Sequence, residues 1–250
     1  MINRNFSRLK SISLVFIVAF SVVGTLSARA TAQNKSIYTK KKHQITFEAP
    51  QGTKPKQTVG GASRGEYCPH SATEQDLPLT PLLPVNSRSL TVESHPTMLV
   101  YVPETSANTA LLSVRDADED YDYQAMVEIG DGAGIVSVSL PNDAPALEID
   151  REYQWSLILL CDNKLRPDSP VVQGDVMRVA TDSYLADKLA RADLLESAVL
   201  YASEGVWYDT VHSMAQLKTA NPKDLTIDSS WQGLLESVGL GDVAKAKLVE

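Results

Sequence analysis

Short hydrophobic runs dominate the middle of the chain, between residues 79 and 180. Pro, Gly, Asn and Asp separate them at the spacing of consecutive strands, and the pattern predicts about seven strands. Residues 97–102 are apolar on both faces, which is typical of a central strand covered on each side. Between residues 136 and 140 apolar residues alternate with serines, so this strand is expected to have one face in water.

The clearest strand runs from Tyr153 to Cys161, with an apolar residue at every odd position. Alternate side chains of a strand point to the same face, so this face is expected to lie in the core. Leu147, Asp150 and Tyr153 resemble the tyrosine corner of immunoglobulin-like and fibronectin-like sandwiches, in which the phenol bonds back to the preceding loop. Residues 77–180 are therefore predicted to form an antiparallel β-sandwich of this kind.

After residue 180 the hydrophobic period changes from two to about 3.6, as in amphipathic helices. Three helices with recognisable stop signals are predicted: a stripe from Leu185 to Ala202 stopped by Gly205, a segment from Trp207 stopped by Asn221-Pro222, and a segment that opens with a Ser229–Gln232 capping box and stops at Gly239.

The offsets of Gly205, Thr210, Leu217 and Pro222 are those of a tetratricopeptide helical hairpin. One such unit cannot bury its own apolar face, so the helices are expected to pack on one another and on the strands. The sequence thus predicts a mainly β fold with α: the immunoglobulin/fibronectin-like sandwich, followed by a C-terminal helical, tetratricopeptide-like subdomain over residues 181–250.

The first 32 residues have the features of a secretory signal peptide. Three positive charges precede an apolar run at residues 14–23, and Ala30-Thr31-Ala32 follows as a small-residue cleavage site. An uncleaved membrane anchor is the alternative, but the run is short for roughly 30 Å of hydrocarbon. We expect the mature protein to be exported, to the periplasm or beyond, and to have no transmembrane segment.

Residues 33–76 are rich in Lys, Gln, Thr, Gly and Pro, and are predicted to form an extended, partly disordered basic arm. The whole chain has 31 acidic and 23 basic residues, a net charge of −8. Residues 1–32 contain no acidic residue, so the rest of the chain has 19 basic and 31 acidic residues and is more acidic than the whole. A surface of this sign repels phosphate backbones, which argues against nucleic acid as a partner.

Cys68 and Cys161 are the only cysteines of the chain. In an oxidising compartment two cysteines are most simply paired, so a Cys68–Cys161 disulfide is predicted. Closing this loop would stabilise the fold by about 4.5 kcal/mol in the chain-entropy model. The alternative is a small buried apolar Cys161 and an exposed Cys68 thiol.

An ordered set of motifs resembles the Domain of Unknown Function 928 family of cyanobacterial proteins, over almost all of the mature chain. The motifs are Gly60-Gly61-Ala62-Ser63-Arg64-Gly65 leading to Cys68, Pro96-Thr97 before Val100-Tyr101-Val102-Pro103, Tyr153-x-Trp155 running into Cys161-Asp162, Tyr201-Ala202, Gly205-x-Trp207-Tyr208-Asp209, and Trp231-x-x-Leu234-Leu235-x-Ser237-Val238-Gly239-Leu240. The resemblance implies a cyanobacterial exported protein. It implies no activity, cofactor or catalytic residue.

Ser63 is a candidate nucleophile, because Gly61-Ala62-Ser63-Arg64-Gly65 fits the G-x-S-x-G pattern of a nucleophile elbow. An elbow needs a buried strand before it and a helix after it. Here a Lys/Pro/Gln segment precedes and Cys68-Pro69 follows. A flexible glycine turn is the favoured interpretation, and a serine hydrolase using Ser63 is kept as an alternative function.

A cluster of acidic residues between Asp116 and Asp122 has the charge of a calcium loop. The EF-hand pattern fails, since Tyr121 stands in place of its glycine and Val127 in place of its bidentate glutamate. A solvated hairpin tip is favoured, and a calcium- or polysaccharide-binding module is a further alternative. No metal or cofactor is predicted, because the residues of zinc-ligand type fit no paired signature: Cys68, His70, His95 and Cys161.

Trp207, Tyr208 and Trp231 are a candidate partner surface, since aromatic residues anchor protein interfaces. Their helical spacing fits core packing equally well. No constellation in the sequence combines a nucleophile, a base and an orienting group in a suitable context. The sequence therefore predicts a noncatalytic binding or structural component of the cell envelope, whose partner is a protein or an envelope polymer.

Overall fold

In the part of the chain that the structure describes, two β-sheets and four α-helices make up a mixed fold, in which the helices follow the main strands. The computed structural model describes residues 45–50, 77–85, 87–118, 120–130 and 132–249. The strands of these ranges are β1 (Thr80–Pro81), β2 (Leu90–Thr91), β3 (Thr97–Val102), β4 (Thr109–Asp116), β5 (Asp122–Glu128), β6 (Gly134–Ser139), β7 (Glu152–Leu159), β8 (Val171–Arg178) and β9 (Leu248–Val249). The helices are α1 (Ser183–Leu189), α2 (Leu194–Ser203), α3 (Trp207–Ala220) and α4 (Leu225–Ser237).

The four-stranded sheet has the order β1-β3-β6-β9. Strands β3 and β6 are antiparallel, with Val100 opposite Val136. Most of β3 is buried, as its apolar faces predict. In β6 Val136 is buried while Ser137 and Ser139 are exposed, which confirms the predicted wet face.

The five-stranded sheet has the order β2-β8-β7-β4-β5, with β7 at its centre. The Tyr153, Trp155 and Leu157 side chains of β7 are buried, which confirms the predicted core face. The Tyr153 hydroxyl accepts a hydrogen bond from the backbone N–H of Glu148 at 2.9 Å. This is a bond from the phenol back to the preceding loop, as the tyrosine-corner pattern predicts.

Eight strands lie among the described residues between 80 and 178, where the sequence predicts about seven. The two shortest, β1 and β2, contain only two residues each. An alternation cannot be recognised over so short a run, because it needs at least four residues to stand out.

The apolar stripe over residues 185–202 belongs to two helices, and the prediction of one continuous helix is wrong. Asp193 and Glu196 form a capping box that starts α2 after α1 has ended. The start of α4 is also earlier than predicted, because the Asp224 side chain accepts from the first backbone N–H groups and Ser229 lies inside the helix.

The other helix ends agree with the prediction. Asn221 is the C-cap of α3, and Gly239, with a φ of 87°, follows α4. Glycine is the favoured residue for this left-handed conformation at a helix end. Within the described ranges no helix has the length and the hydropathy required to cross a bilayer.

Residues 45–50, which belong to the predicted arm, pack against the helices. The Phe47 and Trp207 rings meet edge to face, with centroids 4.9 Å apart. A Cβ atom at Gly205 would lie 2.8 Å from the Glu48 carbonyl oxygen, so only glycine leaves room for this segment. The rest of the predicted arm and the predicted signal peptide lie outside the described residues.

The strands and the helices of the described ranges share one hydrophobic core. Two indole N–H groups connect them. Trp155 of β7 donates to the Tyr208 hydroxyl of α3 at 2.6 Å, and Trp207 of α3 donates to the Leu82 carbonyl at 2.7 Å. Helix α3 is therefore held against the sheets, and it is this contact that builds the site described next.

Candidate functional site

A pocket of about 310 Å³ lies between helices α2 and α3 and the segment that connects β2 to β3; we call it the polar pocket. Four of its residues recur along α3 at helical spacing, which places them on one face of the helix: Asp209, His212, Ser213 and Gln216. The other described residues that line it are Thr91, Glu93, His95, Pro96, Thr97, Tyr201 and Tyr208.

The polar pocket has a buried floor and an exposed rim. Thr91, Asp209 and Ser213 are buried, whereas Glu93 and Gln216 are exposed. One acid of the pocket, Glu93, therefore lies in contact with water, and the other, Asp209, lies inside the protein.

Asp209 is the most unusual group of the pocket, since only 6% of its surface is exposed. Its carboxyl oxygen accepts a hydrogen bond from the Val92 N–H at 3.3 Å. Burial raises the pKa of Asp209 to about 7; a hydrogen bond from Thr91 opposes this rise, and the charge of Glu93 adds to it. At neutral pH the group is thus poised between its acid and its carboxylate.

The two histidines of the pocket differ in their partners. His95 Nε2 is 2.9 Å from the Ala144 carbonyl oxygen and therefore donates to it, and its Nδ1 forms a hydrogen bond of 3.0 Å with the Ser94 hydroxyl. His212 Nδ1 is buried and has no hydrogen-bond partner among the described residues. Burial lowers the pKa of His212, against the charge of Glu93, so its ring is neutral at neutral pH.

The two tyrosines also have different roles. The Tyr208 hydroxyl accepts from Trp155 and donates to the Asp175 carbonyl at 3.0 Å, so it serves the fold. Burial raises the pKa of Tyr201 to about 12, with contributions from the charges of Asp209 and Glu93. Tyr201 therefore keeps its proton and remains a hydrogen-bond donor on the wall of the pocket.

The polar pocket contains acids but, among the described residues that line it, no Lys or Arg. Asp209, His212 and Ser213 make no hydrogen bond with one another. A serine nucleophile requires a base bonded to it and an acid that orients the base. These three described side chains thus form no hydrogen-bonded chain of the kind that a serine nucleophile requires.

Trp207, Tyr208 and Trp231, the candidate partner surface, lie in the core, with at most 2% of each residue exposed. Their polar atoms are bonded inside the protein, as in the 3.0 Å bond from the Trp231 Nε1 to the Ala244 carbonyl. This corrects the candidate partner surface. In this structure the three residues pack inside the chain, where they anchor helices α3 and α4 to the rest of the core.

Cys161 is buried at the end of the face that Tyr153 begins, as predicted. Cys68 lies outside the described residues, so the disulfide stays a prediction. Ser63 also lies outside them, and the hydrolase alternative has no described geometry.

The acidic cluster lies at the tip of the β4–β5 hairpin, as predicted, but it is not solvated throughout. The Asp116 side chain is buried and forms an ion pair with Arg151. Arg151 also contacts Asp120 at 3.3 Å and Glu148 at 3.2 Å. A cationic side chain thus pairs with two acids of this cluster, Asp116 and Asp120. In the described ranges no three His, Cys, Asp or Glu residues form a metal-binding group.

The Arg151 side chain is expected to be important for stability. Arg151→Gln leaves the buried Asp116 carboxylate without its counter-ion, and should lower the Tm by about 5 °C or more. The matched control is Arg166→Gln, because Arg166 pairs at 3.2 Å with Asp162 and both side chains are about half exposed or more. An exposed pair contributes little, so the control should shift the Tm by about 2 °C at most. Equal shifts in a thermal melt would contradict the role given to Asp116.

Sequence reasoning did not predict the polar pocket as a site, although it named several residues that line it, such as His95 and Tyr208, for other reasons. Glu93 and Asp209 are 116 positions apart, and only the packing of α3 beside β2 brings them together. One signal was present in the sequence: Asp209 directly follows Trp207-Tyr208, in a segment whose aromatic and apolar residues indicate core packing, and an acid in a buried segment is unusual.

A family model described as Domain of Unknown Function (DUF928) matches residues 59–248. No curated protein was found to be similar to the chain. Several residues of the polar pocket belong to the motifs that carry the family resemblance: Pro96, Thr97, Tyr201, Tyr208 and Asp209.

Proposed function

We propose that this chain, which belongs to the Domain of Unknown Function (DUF928) family, is an exported, noncatalytic protein of the cell envelope that binds a small polar ligand or one unit of an envelope polymer. The observation that carries the proposal is the buried Asp209 carboxyl on the floor of a pocket whose rim is open to water. Export is supported by the leader sequence, with its positive charges, apolar run and small-residue cleavage site.

Asp209 favours binding because its burial opposes folding. A carboxyl group whose pKa is raised by desolvation destabilises the folded protein once it ionises. A ligand that pairs with the carboxylate offsets this cost and stabilises the folded state by mass action. A strongly perturbed acid in a pocket is also the usual mark of a functional site.

The noncatalytic class is supported by the missing connections in the pocket. His212 is bonded to neither Ser213 nor Asp209 in the described structure, and no other hydroxyl there has a histidine base and an orienting acid. A hydrolase using Ser63 is the alternative from another class. Ester or glycan hydrolysis by the purified protein that is lost in Ser63→Ala would establish it.

The finer description of the fold belongs to the same proposal. We propose that the two sheets form an immunoglobulin-like sandwich, supported by the hydrogen bond between Tyr153 and Glu148 at the entry to β7. We also propose that α2 and α3 form a tetratricopeptide-like hairpin, supported by their connection through Gly205.

The binding proposal is tested by closing the mouth of the polar pocket. Purified protein is screened by thermal shift against small polar compounds. A compound that stabilises the wild type should bind Gln216→Trp at least about tenfold more weakly, because an indole at this exposed lining position obstructs the pocket.

The matched control is Thr219→Trp, which adds the same ring at an exposed position of α3 outside the lining. It should bind the compound as the wild type does. The proposal would be overturned if no compound stabilises the wild type, or if Gln216→Trp and Thr219→Trp bind the compound equally well.

A further inference from the structure

The charge of the polar pocket discriminates between classes of ligand. Glu93 stands at the rim and Asp209 on the floor, and the described lining contains no cationic side chain. A phosphate, sulfate or carboxylate group would meet two acids and no counter-charge, so an anionic ligand is disfavoured. A positive ligand would meet complementary charge.

The size and the remaining polar atoms restrict the ligand further. A volume of about 310 Å³ is at the lower end of the range for small-molecule sites, about 300–1,000 Å³, and suits a molecule built on roughly one ring. His95 uses both ring nitrogens in the fold. The Tyr201 hydroxyl, which keeps its proton, is left to donate to a polar group of the ligand.

We propose that the polar pocket takes a small ligand with a primary ammonium group, which pairs with the carboxylates of Glu93 and Asp209. This inference rests on the proposed binding function and names the chemical class of its ligand. An ammonium group offers three N–H donors and one positive charge, and ionised carboxylates are pure acceptors. Such charge-assisted hydrogen bonds are stronger than neutral ones.

Binding of an ammonium group is coupled to the protonation of Asp209. Because the pKa of Asp209 is about 7, about half of the molecules carry the proton at pH 7. The ammonium stays protonated and favours the carboxylate, so the Asp209 carboxyl releases its proton to solvent as the ion pair forms. The other titratable groups that line the pocket are Glu93 and His95 before β3, Tyr201 of α2, and Tyr208 and His212 of α3.

The inference is tested by calorimetry with two series of probes. Within a series the probes share one ring and differ in a single group, which is cationic, neutral or anionic. The first is 6-amino-6-deoxyglucose, glucose and glucuronate; the second is cyclohexylmethylamine, cyclohexylmethanol and cyclohexanecarboxylate. In at least one series the ammonium member should bind at least about tenfold more tightly than the neutral member, with the anion weakest. Titration of cyclohexylmethylamine, whose ammonium group stays protonated, at pH 7 in buffers of different ionisation enthalpy should show release of about half a proton, falling towards zero at about pH 8.5.

The variants assign the effect to the two carboxylates. Asp209→Asn should weaken ammonium binding at least about tenfold and abolish proton release, and Glu93→Gln should weaken binding while release persists. Asp187→Asn on α1 and Glu236→Gln on α4 make the same chemical changes at exposed positions away from the pocket, and should bind as the wild type does.

The outcomes separate this inference from the proposed function. If the neutral or anionic members bind as tightly as the ammonium members, and Gln216→Trp prevents this, the inference is overturned and the binding function stands. If no member of either series binds, the inference is also overturned, and the thermal-shift comparison of Gln216→Trp with Thr219→Trp decides the binding function by itself.

Discussion

Asp209→Asn is expected to stabilise the protein at neutral and alkaline pH. The difference in unfolding free energy between the variant and the wild type should be larger above pH 7 than in acid, by up to about 4 kcal/mol. Most substitutions of buried residues destabilise proteins, so a gain of this size would be unusual. It is expected here because the variant removes a charge from the core and retains an oxygen that can accept from Val92.

The sign of the pH dependence follows from the raised pKa of Asp209. Between the ordinary value of 3.8 and the folded value of about 7, the folded protein holds a proton that the unfolded chain has lost. The wild type therefore loses stability as the pH rises through this window, by about 1.4 kcal/mol per pH unit, and the loss levels off above pH 7. Asparagine does not titrate, so Asp209→Asn lacks this loss.

Urea unfolding from pH 4 to pH 9 measures the effect as the difference in unfolding free energy between Asp209→Asn and the wild type. His212, whose lowered pKa acts in the opposite sense as the pH falls, is present in both proteins, and its contribution cancels in the difference. Asp187→Asn makes the same chemical change on the exposed surface of α1, where it removes no buried charge, and should show no stabilisation of this kind. If the difference for Asp209→Asn does not change with pH, the pKa of the Asp209 carboxyl is not raised in the folded state.

The strands and the core could be predicted because their signals are local. An alternation of apolar and polar residues shows which face of β7 is buried without any knowledge of its neighbours, and Tyr153, Trp155 and Leu157 are buried accordingly. The same holds for the end of α4, where Gly239 takes a conformation that favours glycine.

The polar pocket could not be predicted, because its chemistry depends on contacts between distant segments. Nothing in the sequence distinguishes Glu93 from other acids. It becomes part of a site only because α3 lies beside it in the fold. The hairpin tip illustrates the same limit: Asp116 looks solvated until Arg151, 35 positions later, is placed against it. Charge patterns along a chain therefore find acids, while burial and pairing decide what each acid does.

Helix boundaries show a different limit. The hydrophobic stripe from residue 185 to residue 202 keeps a helical period across a break, so the period alone suggests one helix. The break is specified by the Asp193–Glu196 capping box, a signal that the stripe obscures because its helical period continues on both sides of the box. A cap inside a periodic segment thus carries more information about the boundary than the period does.

Gly174→Ala is expected to destabilise the protein by roughly 2–3 kcal/mol, because one methyl group overpacks the core at this position. Gly174 lies in β8 directly opposite Trp155 of β7. A Cβ atom there would be 2.5 Å from Leu83 Cδ1 and 2.7 Å from Trp155 Cε2. The indole cannot move away freely, because its Nε1 donates the 2.6 Å hydrogen bond to Tyr208 that holds α3 against the sheet.

Gly233→Ala is the matched control, since it adds the same methyl group where no atom lies within 4 Å. Gly233 is inside α4, and alanine there should raise the unfolding free energy by up to about 1 kcal/mol through helix propensity. The two Gly→Ala changes should therefore have opposite signs in urea unfolding at one pH. If Gly174→Ala instead unfolds as the wild type does, the Trp155 ring has room to shift, and the hydrogen bond to Tyr208 cannot be what positions α3 and the floor of the polar pocket.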